Sequence, residues 1–457
     1  MGKNYEQYKK MFITVVDFMI LLFPTLLFYV VWNKEINILL RVNFKNKGNW
    51  LIILCYALIL GVMLGALRGF KIGYYRITNL IISQLLSLIC THMILSIQIV
   101  LMAGRVVVIK RIIFLMFSLF VINWIVVMGI TAIFTKIYGY LFPPHRLLHI
   151  YGDYSNNLKN KIATRADKYV IEKDMYFKES IEKLKEEILK YEGVLLNDIP
   201  SKVKNELLKY CFDNNVRVYF VPKISDIFVK GAEEINIFDT PIFLCKNIGL
   251  TIEQKIIKRV MDLCISSIVL LVTFPIMLLT AAAIKIEDGG PVFYSQQRCT
   301  MNGKCFMLYK FRSMCVGAEK MGGVQLAKKN DTRITKVGSF IRMTRIDELP
   351  QLVNVLKGDM SFVGPRPERP KFVEQNCRKI PEFQYRMKVK AGLTGYAQVF
   401  GKYNTSFLDK LKLDLLYIEK YSILLDIRII VMTLKVVMMK ENAEGVFDNV
   451  EEKQMEK

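Results

Sequence analysis

The chain has 457 residues, 53% of them apolar and 23% charged, with 64 Lys and Arg against 41 Asp and Glu for a net charge of +23. That length exceeds one average domain, and the apolar share lies above the roughly 45–50% of soluble chains. A disordered chain, a collagen and a disulfide scaffold are excluded by the plentiful apolar residues and by only 26 Gly and 9 Cys over this length.

The apolar excess is concentrated at the start, where residues 1–142 hold 14 Lys or Arg and 3 acids. Four runs, Phe12–Trp32, Leu51–Leu67, Ile77–Met102 and Ile112–Phe134, predict transmembrane helices, because a bilayer core takes about 20 apolar residues in helix. Asp17, Pro24 and the later spans argue against a cleaved leader. Basic residues flank the spans in every loop, so the positive-inside rule names no winner. Four spans set both ends on one side, and a basic C-terminal part with unpaired cysteines assigns that side to the cytosol. Asp17, Gln84, His92, Gln98 and Asn123 within the runs read as interhelical hydrogen-bonding groups, with a transport path as the alternative.

Arg146–Gly152 reads as a buried strand after Pro143-Pro144. Short apolar runs at Lys168–Ile171, Gly193–Asn197 and Val216–Pro222 then alternate with charged helical stretches. This alternation predicts a parallel sheet with flanking helices. A dinucleotide site would need several glycines after the first strand, and the stretch from Gly152 through Asp153, Tyr154 and Ser155 to Asn156 has one. A structural or regulatory Rossmann-like module is therefore expected, with a degenerate nucleotide-binding domain as the alternative.

Val260–Ile284 is long enough to span, but Pro275 interrupts it. Val260–Phe274 would reach roughly 22 Å at ~1.5 Å per residue, short of a ~30 Å core. A helix that enters, bends at Phe274-Pro275 and returns to the same face is the expectation, with a fifth full span kinked at the proline as the alternative. Lys258, Arg259 and Asp262 fall on one helical face, anchoring the polar end in headgroups.

The stretch Glu287–Gly401 carries the chemistry. No histidine follows His149 and no CxxC pair occurs, so reactions here must use carboxylates, lysines, cysteines or an oxygen-bound metal. Phe306–Met314 reads as a strand whose alternation puts Lys310 and Arg312 on one face, suited to a phosphate or else a solvated edge. A helix is predicted from an Asp347 N-cap, with Pro350 in its first turn and Gly358 closing it. Asp347 and Glu348 then sit at a positive helix end near Arg342 and Arg345. The pair is either a nucleophile and a Mg²⁺ ligand or an ordinary cap with solvated acids. Pro365 and Pro367 hold Arg366 ready for a phosphate at little entropic cost. Lys390–Val399 is a glycine-marked loop leading into a strand. Phe407–Tyr421 and Leu424–Lys440 are amphipathic, suited to headgroups or to packing on the catalytic core.

These motifs, KFRSM, IDELPQLVNVLKGDMSFVGPRP and AGLTGYAQV, occur in family order. Lys255–Val437 resembles the bacterial sugar transferase family, the monotopic polyprenyl-phosphate phosphoglycosyl transferases. The four spans and α/β middle region resemble its large members. The resemblance implies a membrane protein of three domains. These are a four-helix transmembrane bundle at 1–142, a Rossmann-like α/β domain at 143–250, and a mainly α catalytic domain at 251–457 with a re-entrant helix at about 255–285. It implies transfer of a sugar-1-phosphate from a UDP-sugar to undecaprenyl phosphate, starting exopolysaccharide, capsule or O-antigen assembly at the bacterial inner membrane. Galactose, glucose and N-acetylated sugars all remain open.

By that resemblance Asp347 is the nucleophile and Glu348 the Mg²⁺ ligand. Arg366 contacts the nucleotide phosphate, with Arg298, Lys310 and Arg312 as further donor contacts. Lys258, Arg259 and Asp262 lie near the lipid phosphate. Implied partners are the bilayer, a second copy of the chain and other polysaccharide-assembly proteins. One departure stands out: members carry Gly two residues after the Arg298 equivalent, where this chain has Thr300. The alternatives are a metal-dependent lipid-diphosphate phosphohydrolase and a non-catalytic scaffold of assembly. Nucleic acid is not an expected partner, since the basic residues are not interleaved with stacking aromatics.

Overall fold

The computed structural model describes residues 6–45, 47–154, 156–245, 249–317, 331–401 and 405–438. Ser155 and Lys440 of the stretches above lie outside these ranges. The chain divides into two compact units, Met1–Val221 and Pro222–Lys457.

The first unit opens with four long helices. They are α1 (Lys9–Val31, helical through a π turn as far as Leu39), α2 (Lys47–Ala66), α3 (Ile77–Ala103) and α4 (Val106–Leu141). Each buries one stripe, such as Ile20 and Phe28, Tyr56 and Leu60, Leu88 and Leu95, and Met116 and Val127, in a shared core. Their outer faces are apolar too, with Phe18, Leu54, Val62, Phe114 and Phe117 exposed. Helices apolar all round belong in lipid. Together with α9 below they make five described helices long and apolar enough to cross a membrane. Gln84, His92 and Asn123 pair across helices, whereas Asp17 Oδ1 is buried with no hydrogen-bond partner among the described residues. Asn123 Nδ2 donates to Tyr56 Oη (3.0 Å) and lies 3.3 Å from His92 Nε2. Thr131 donates to Gln84 Oε1 at 2.9 Å. This is the interhelical bonding expected, and it is seen for these three of the five residues.

Four parallel strands follow, β1 (His145–Tyr151), β2 (Tyr169–Tyr176), β3 (Gly193–Asn197) and β4 (Arg217–Phe220), in the order β2-β1-β3-β4. The connections carry α5 (Leu158–Ala163), α6 (Ile181–Ile188) and α7 (Ser201–Asp213). Leu148, Ile150, Val194 and Leu196 pack on Leu184, Ile188 and Leu207. All four strands stand where alternation placed them, although β2 begins later and runs on to Tyr176. Gly152 serves a close backbone approach, since a Cβ there would lie 1.9 Å from Asp198 O. Asn156 and Asn197 exchange side-chain amide bonds at 2.8 and 3.1 Å. The crevice at the strand ends is thus braced by the chain's own residues.

The second unit begins with α8 (Ile224–Gly231) and a hairpin, β5 (Glu233–Ile237) with β6 (Thr240–Leu244). Helix α9 (Ile252–Asp288) follows, started by a Thr251–Gln254 capping box and ended by Gly289 at φ +67°. The helix does not break at Pro275: its helical backbone continues through the proline to Asp288, at the expense of one backbone donor. Both halves of α9 lie against this unit. Ile265, Val269 and Leu270 join the main core, while Met277, Ala281 and Ile284 pack on Phe311, Ile341 and Ile346.

A second hairpin pairs β7 (Phe293–Cys299) with β8 (Cys305–Phe311). After it come α10 (Lys336–Met343), α11 (Gln351–Lys357), β9 (Ser361–Val363), α12 (Pro370–Lys379), β10 (Gly392–Thr394), α13 (Tyr396–Phe400), α14 (Phe407–Glu419) and α15 (Ile423–Met438). The strand expected beyond Gly395 is a helix, α13, and the strand of this motif is β10, which pairs in parallel with β9. Leu411, Leu415 and Tyr417 of α14 and Ile429 of α15 are buried with Leu352, Val355 and Met360. Of the two roles open to these amphipathic stretches, packing on the core is the one these residues take.

Candidate active site

Asp347 and Glu348 lie together in a short 3₁₀ turn, Ile346–Glu348, both buried. The sequence predicted Asp347 as the N-cap of a helix. Instead Pro350 is the N-cap of α11, and the acids precede it. The reason is local. Arg345 adopts a left-handed backbone (φ +60°), and tight bonds from Leu349 N to Ile346 O (3.1 Å) and Leu352 N to Leu349 O (3.0 Å) carry the chain into α11. Ile346 is packed with Ile341 and Phe311, which fixes the turn. Gly358 closes α11 as expected, with φ +89°.

Three cations converge on Glu348. Its Oε1 accepts from Arg366 Nη2 at 2.8 Å and Lys310 Nζ at 3.0 Å, with Arg345 Nη1 at 3.9 Å. Lys310 Nζ also lies 3.8 Å from Asp347 Oδ2. Asp347 Oδ1 is buried with no hydrogen-bond partner among the described residues, and so is Gln351 Nε2 one turn on. The electrostatics part the two acids. Burial raises the Asp347 carboxyl above its ordinary value, and Glu348 adds to the rise while Lys310 opposes it. Burial acts on Glu348 in the same sense, but Arg366, Lys310 and Arg345 overcome it and hold the group well below its usual range. One acid is thus a fixed anion bridging cations, and the other keeps an oxygen free beside them. A carboxylate is a nucleophile of the kind that attacks phosphorus, and cations so grouped are of the kind that hold phosphoryl oxygens.

Lys310 is set by β8, and β8 is set by Asn354. The fully buried Asn354 accepts from Tyr309 N (3.0 Å) and donates to Met307 O (2.8 Å), as a neighbouring strand would. Asn354→Ala leaves both strand groups unpaired; it should cost about 1–3 kcal/mol and lower activity by loosening Lys310, read as a thermal midpoint and a turnover rate.

Arg366 is set by its loop. Arg386 Nη2 donates to Arg366 O at 2.9 Å and is itself held by Asp414 at 2.8 Å. Arg298 Nη1 donates to Pro367 O at 3.2 Å, and its Nη2 to Gln296 Oε1 at 2.7 Å. Arg298 therefore braces the loop from beneath. Gly392 lies so close to Gly364 that a Cβ would approach its nitrogen to 2.0 Å. Thr300, the departure from the family pattern, has an extended backbone (φ −125°), and its Oγ1 accepts from Ala391 N at 3.0 Å. The turn needs no glycine there.

Not every candidate gathers at the dyad. Arg312 lies past the end of β8, so alternation with Lys310 stops at Phe311; it binds Asp288 and Pro291 O (2.6 Å) at the end of α9. Lys258 Nζ is buried and donates to Asp426 Oδ2 at 2.6 Å and to Tyr417 Oη at 3.3 Å. Arg259 caps α11 through Val355 O (2.6 Å) and Leu356 O (2.8 Å). Asp262 Oδ1 accepts from Ser361 Oγ (3.0 Å) and Phe362 N (2.9 Å). These three fasten α9 to the body of the unit. Asn354, Arg386 and Asp414 were missed, since nothing in the local sequence marks a side chain that bonds backbone across the fold.

The model of the family described as bacterial sugar transferase matches residues 253–440. The chain is 39% identical over 193 residues to an uncharacterized sugar transferase, EpsL, of Bacillus subtilis, covering 91% of that protein and 41% of this chain. The chain belongs to the bacterial sugar transferase family. It is 45% identical over 185 residues to the UDP-N-acetylgalactosamine-undecaprenyl-phosphate N-acetylgalactosaminephosphotransferase of Aeromonas hydrophila, covering 44% of it and 40% of this chain. It is 40% identical over 244 residues to the UDP-glucose:undecaprenyl-phosphate glucose-1-phosphate transferase of Klebsiella pneumoniae, half of each chain. The match thus spans about half the length of these two relatives.

Proposed function

We propose that this protein transfers a sugar-1-phosphate from a UDP-sugar to undecaprenyl phosphate. The observation that carries the reading is Asp347 Oδ1, buried and unpartnered beside a Glu348 bridged to Arg366 and Lys310. The names of the relatives support the donor and acceptor classes.

In the first step Asp347 attacks the β-phosphorus of the donor. The bond from that phosphorus to the bridging oxygen breaks, and UMP leaves with the electron pair. A phosphosugar joined to the aspartyl carboxylate remains. An oxygen of undecaprenyl phosphate then attacks the same phosphorus and frees Asp347, giving the polyprenyl-diphosphate sugar. Arg366 and Lys310 hold the phosphoryl oxygens throughout. The donor set also suits Mg²⁺, which takes one or two carboxylates and completes its shell with water and substrate phosphates. Glu348 would hold it, with the open Asp347 oxygen alongside; when bound it would neutralise diphosphate charge.

On this reading helices α1–α4 form a membrane bundle and β1–β4 a Rossmann-like module. Helix α9 is re-entrant, with the catalytic unit on the cytosolic face of the inner membrane. That both halves of α9 pack on one unit supports this placement of the helix.

Purified protein given a panel of UDP-sugars, Mg²⁺ and undecaprenyl phosphate should release UMP and form lipid product with one or a few donors. Continued UMP release without lipid acceptor, beyond the one equivalent per enzyme that the first step frees, would defeat the reading and favour a hydrolase. The rate should also fall on acidification, because Asp347 must be ionised to attack. Burial raises its pKa, so the acid limb lies above the ordinary aspartate value of 3.8. Lys310→Met removes a cation that lowers that pKa and should move the limb of the residual rate to higher pH.

A further inference from the structure

The β7–β8 hairpin brings two thiols together beneath the loop that carries Arg366. Cys299 and Cys305 face each other in register, with Sγ atoms 3.7 Å apart. Cys299 N points away from β8 and donates to Glu368 O at 2.9 Å, while Thr300 N bonds to Lys304 O at 2.8 Å. The cysteines therefore occupy a non-hydrogen-bonded position of the ladder, where Cα atoms lie about 4.5 Å apart, inside the range of roughly 4.4–6.8 Å that a disulfide accepts. Both thiols are free; Cys305 is exposed and Cys299 buried.

We infer that Cys299 and Cys305 form a redox-modification site, oxidised by a hydroperoxide to an intramolecular disulfide that reversibly slows transfer. The exposed Cys305 sulfur attacks the peroxide, whose O–O bond breaks and whose second oxygen leaves as water or alcohol. The resulting sulfenic acid is attacked by Cys299, and its oxygen departs as water. In sum two thiols lose two hydrogens and the peroxide is reduced. The arrangement follows the pattern of an accessible thiol next to a resolving one.

The pair is coupled to the site through three successive residues. Arg298 holds Pro367 O, Cys299 holds Glu368 O and Thr300 holds Ala391 N. Drawing the two sulfurs into a bond of about 2.05 Å moves the end of β7. The backbone that directly follows Arg366, at Pro367 and Glu368, moves with it, and the grip of Arg366 on Glu348 loosens.

The rate effect rests on the transfer reaction proposed above, whereas the disulfide itself does not. Protein in detergent or nanodiscs is treated with hydrogen peroxide, alkylated and cut with trypsin. Cleavage after Arg298, Lys304 and Lys310 releases residues 299–304 and 305–310 as separate peptides. They should be recovered joined and two hydrogens lighter, with transfer slowed at least about fivefold and restored by dithiothreitol. Cys305→Ser, outside the reacting groups, should keep its untreated rate and resist peroxide. Peptides that stay separate while other cysteines oxidise would overturn the site. Joined peptides with an unchanged rate, or an equal loss in Cys305→Ser, would overturn its coupling to Arg366. Untreated wild-type protein that transfers nothing would instead count against the proposed function, leaving the peptide measurement to decide the disulfide.

Discussion

Asp347→Asn should abolish transfer, lowering turnover by about four orders of magnitude or more, as loss of a covalent nucleophile does. The amide has the shape of the carboxylate but cannot form the acyl phosphate. Folding should survive, since Oδ1 makes no hydrogen bond among the described residues and the ion pair to Lys310 is a long 3.8 Å from Oδ2. Trapping with a UDP-sugar and no lipid acceptor should place the phosphosugar mass on the peptide containing Asp347 in wild type and nowhere in the variant. An Asp347→Asn protein that turns over at a tenth of the wild-type rate would end the covalent scheme.

The second large effect concerns stability. Asp426 is fully buried and holds Lys258 at 2.6 Å, so Asp426→Ala strands an ammonium in the interior. Removing one partner of such a pair costs about 3–5 kcal/mol. The thermal midpoint in detergent should drop sharply, and the N-terminal half of α9 should exchange amide hydrogens faster. Adding Lys258→Met to Asp426→Leu should recover most of the loss, because a matched apolar pair carries no stranded charge. If that double variant also keeps its KM for undecaprenyl phosphate, Lys258 serves the helix and not the lipid. An Asp426→Ala midpoint unchanged from wild type would refute the account of α9 anchoring.

The dyad, Lys310 and Arg366 were legible in the sequence because each sits in a motif whose residue types suit phosphate chemistry. The four apolar runs and the strands of the parallel sheet were legible because their periodicity is local. The start of α11 was misplaced by three residues: an acid before a proline resembles a cap, and only the left-handed Arg345 reveals the 3₁₀ turn. The ion pairs of Lys258 and Arg312 are invisible in the sequence, because their partners, Asp426 and Asp288, are 168 and 24 residues away. No window of sequence shows which distant acid a cation will choose. The same holds for Arg386 and Asp414, whose burial pushes the Asp414 carboxyl up to about 6 despite the adjacent guanidinium.

The side chain of Asn354 also has a bearing on solubility. A two-stranded sheet has two open margins, and an open margin invites a foreign strand to add to it. Asn354 occupies the margin of β8 with one amide, and the Glu368 carbonyl covers the margin of β7 at Cys299. Strand addition is thereby opposed at Met307, Tyr309 and Cys299, and a chain lacking the Asn354 amide should form strand-paired aggregates when overproduced.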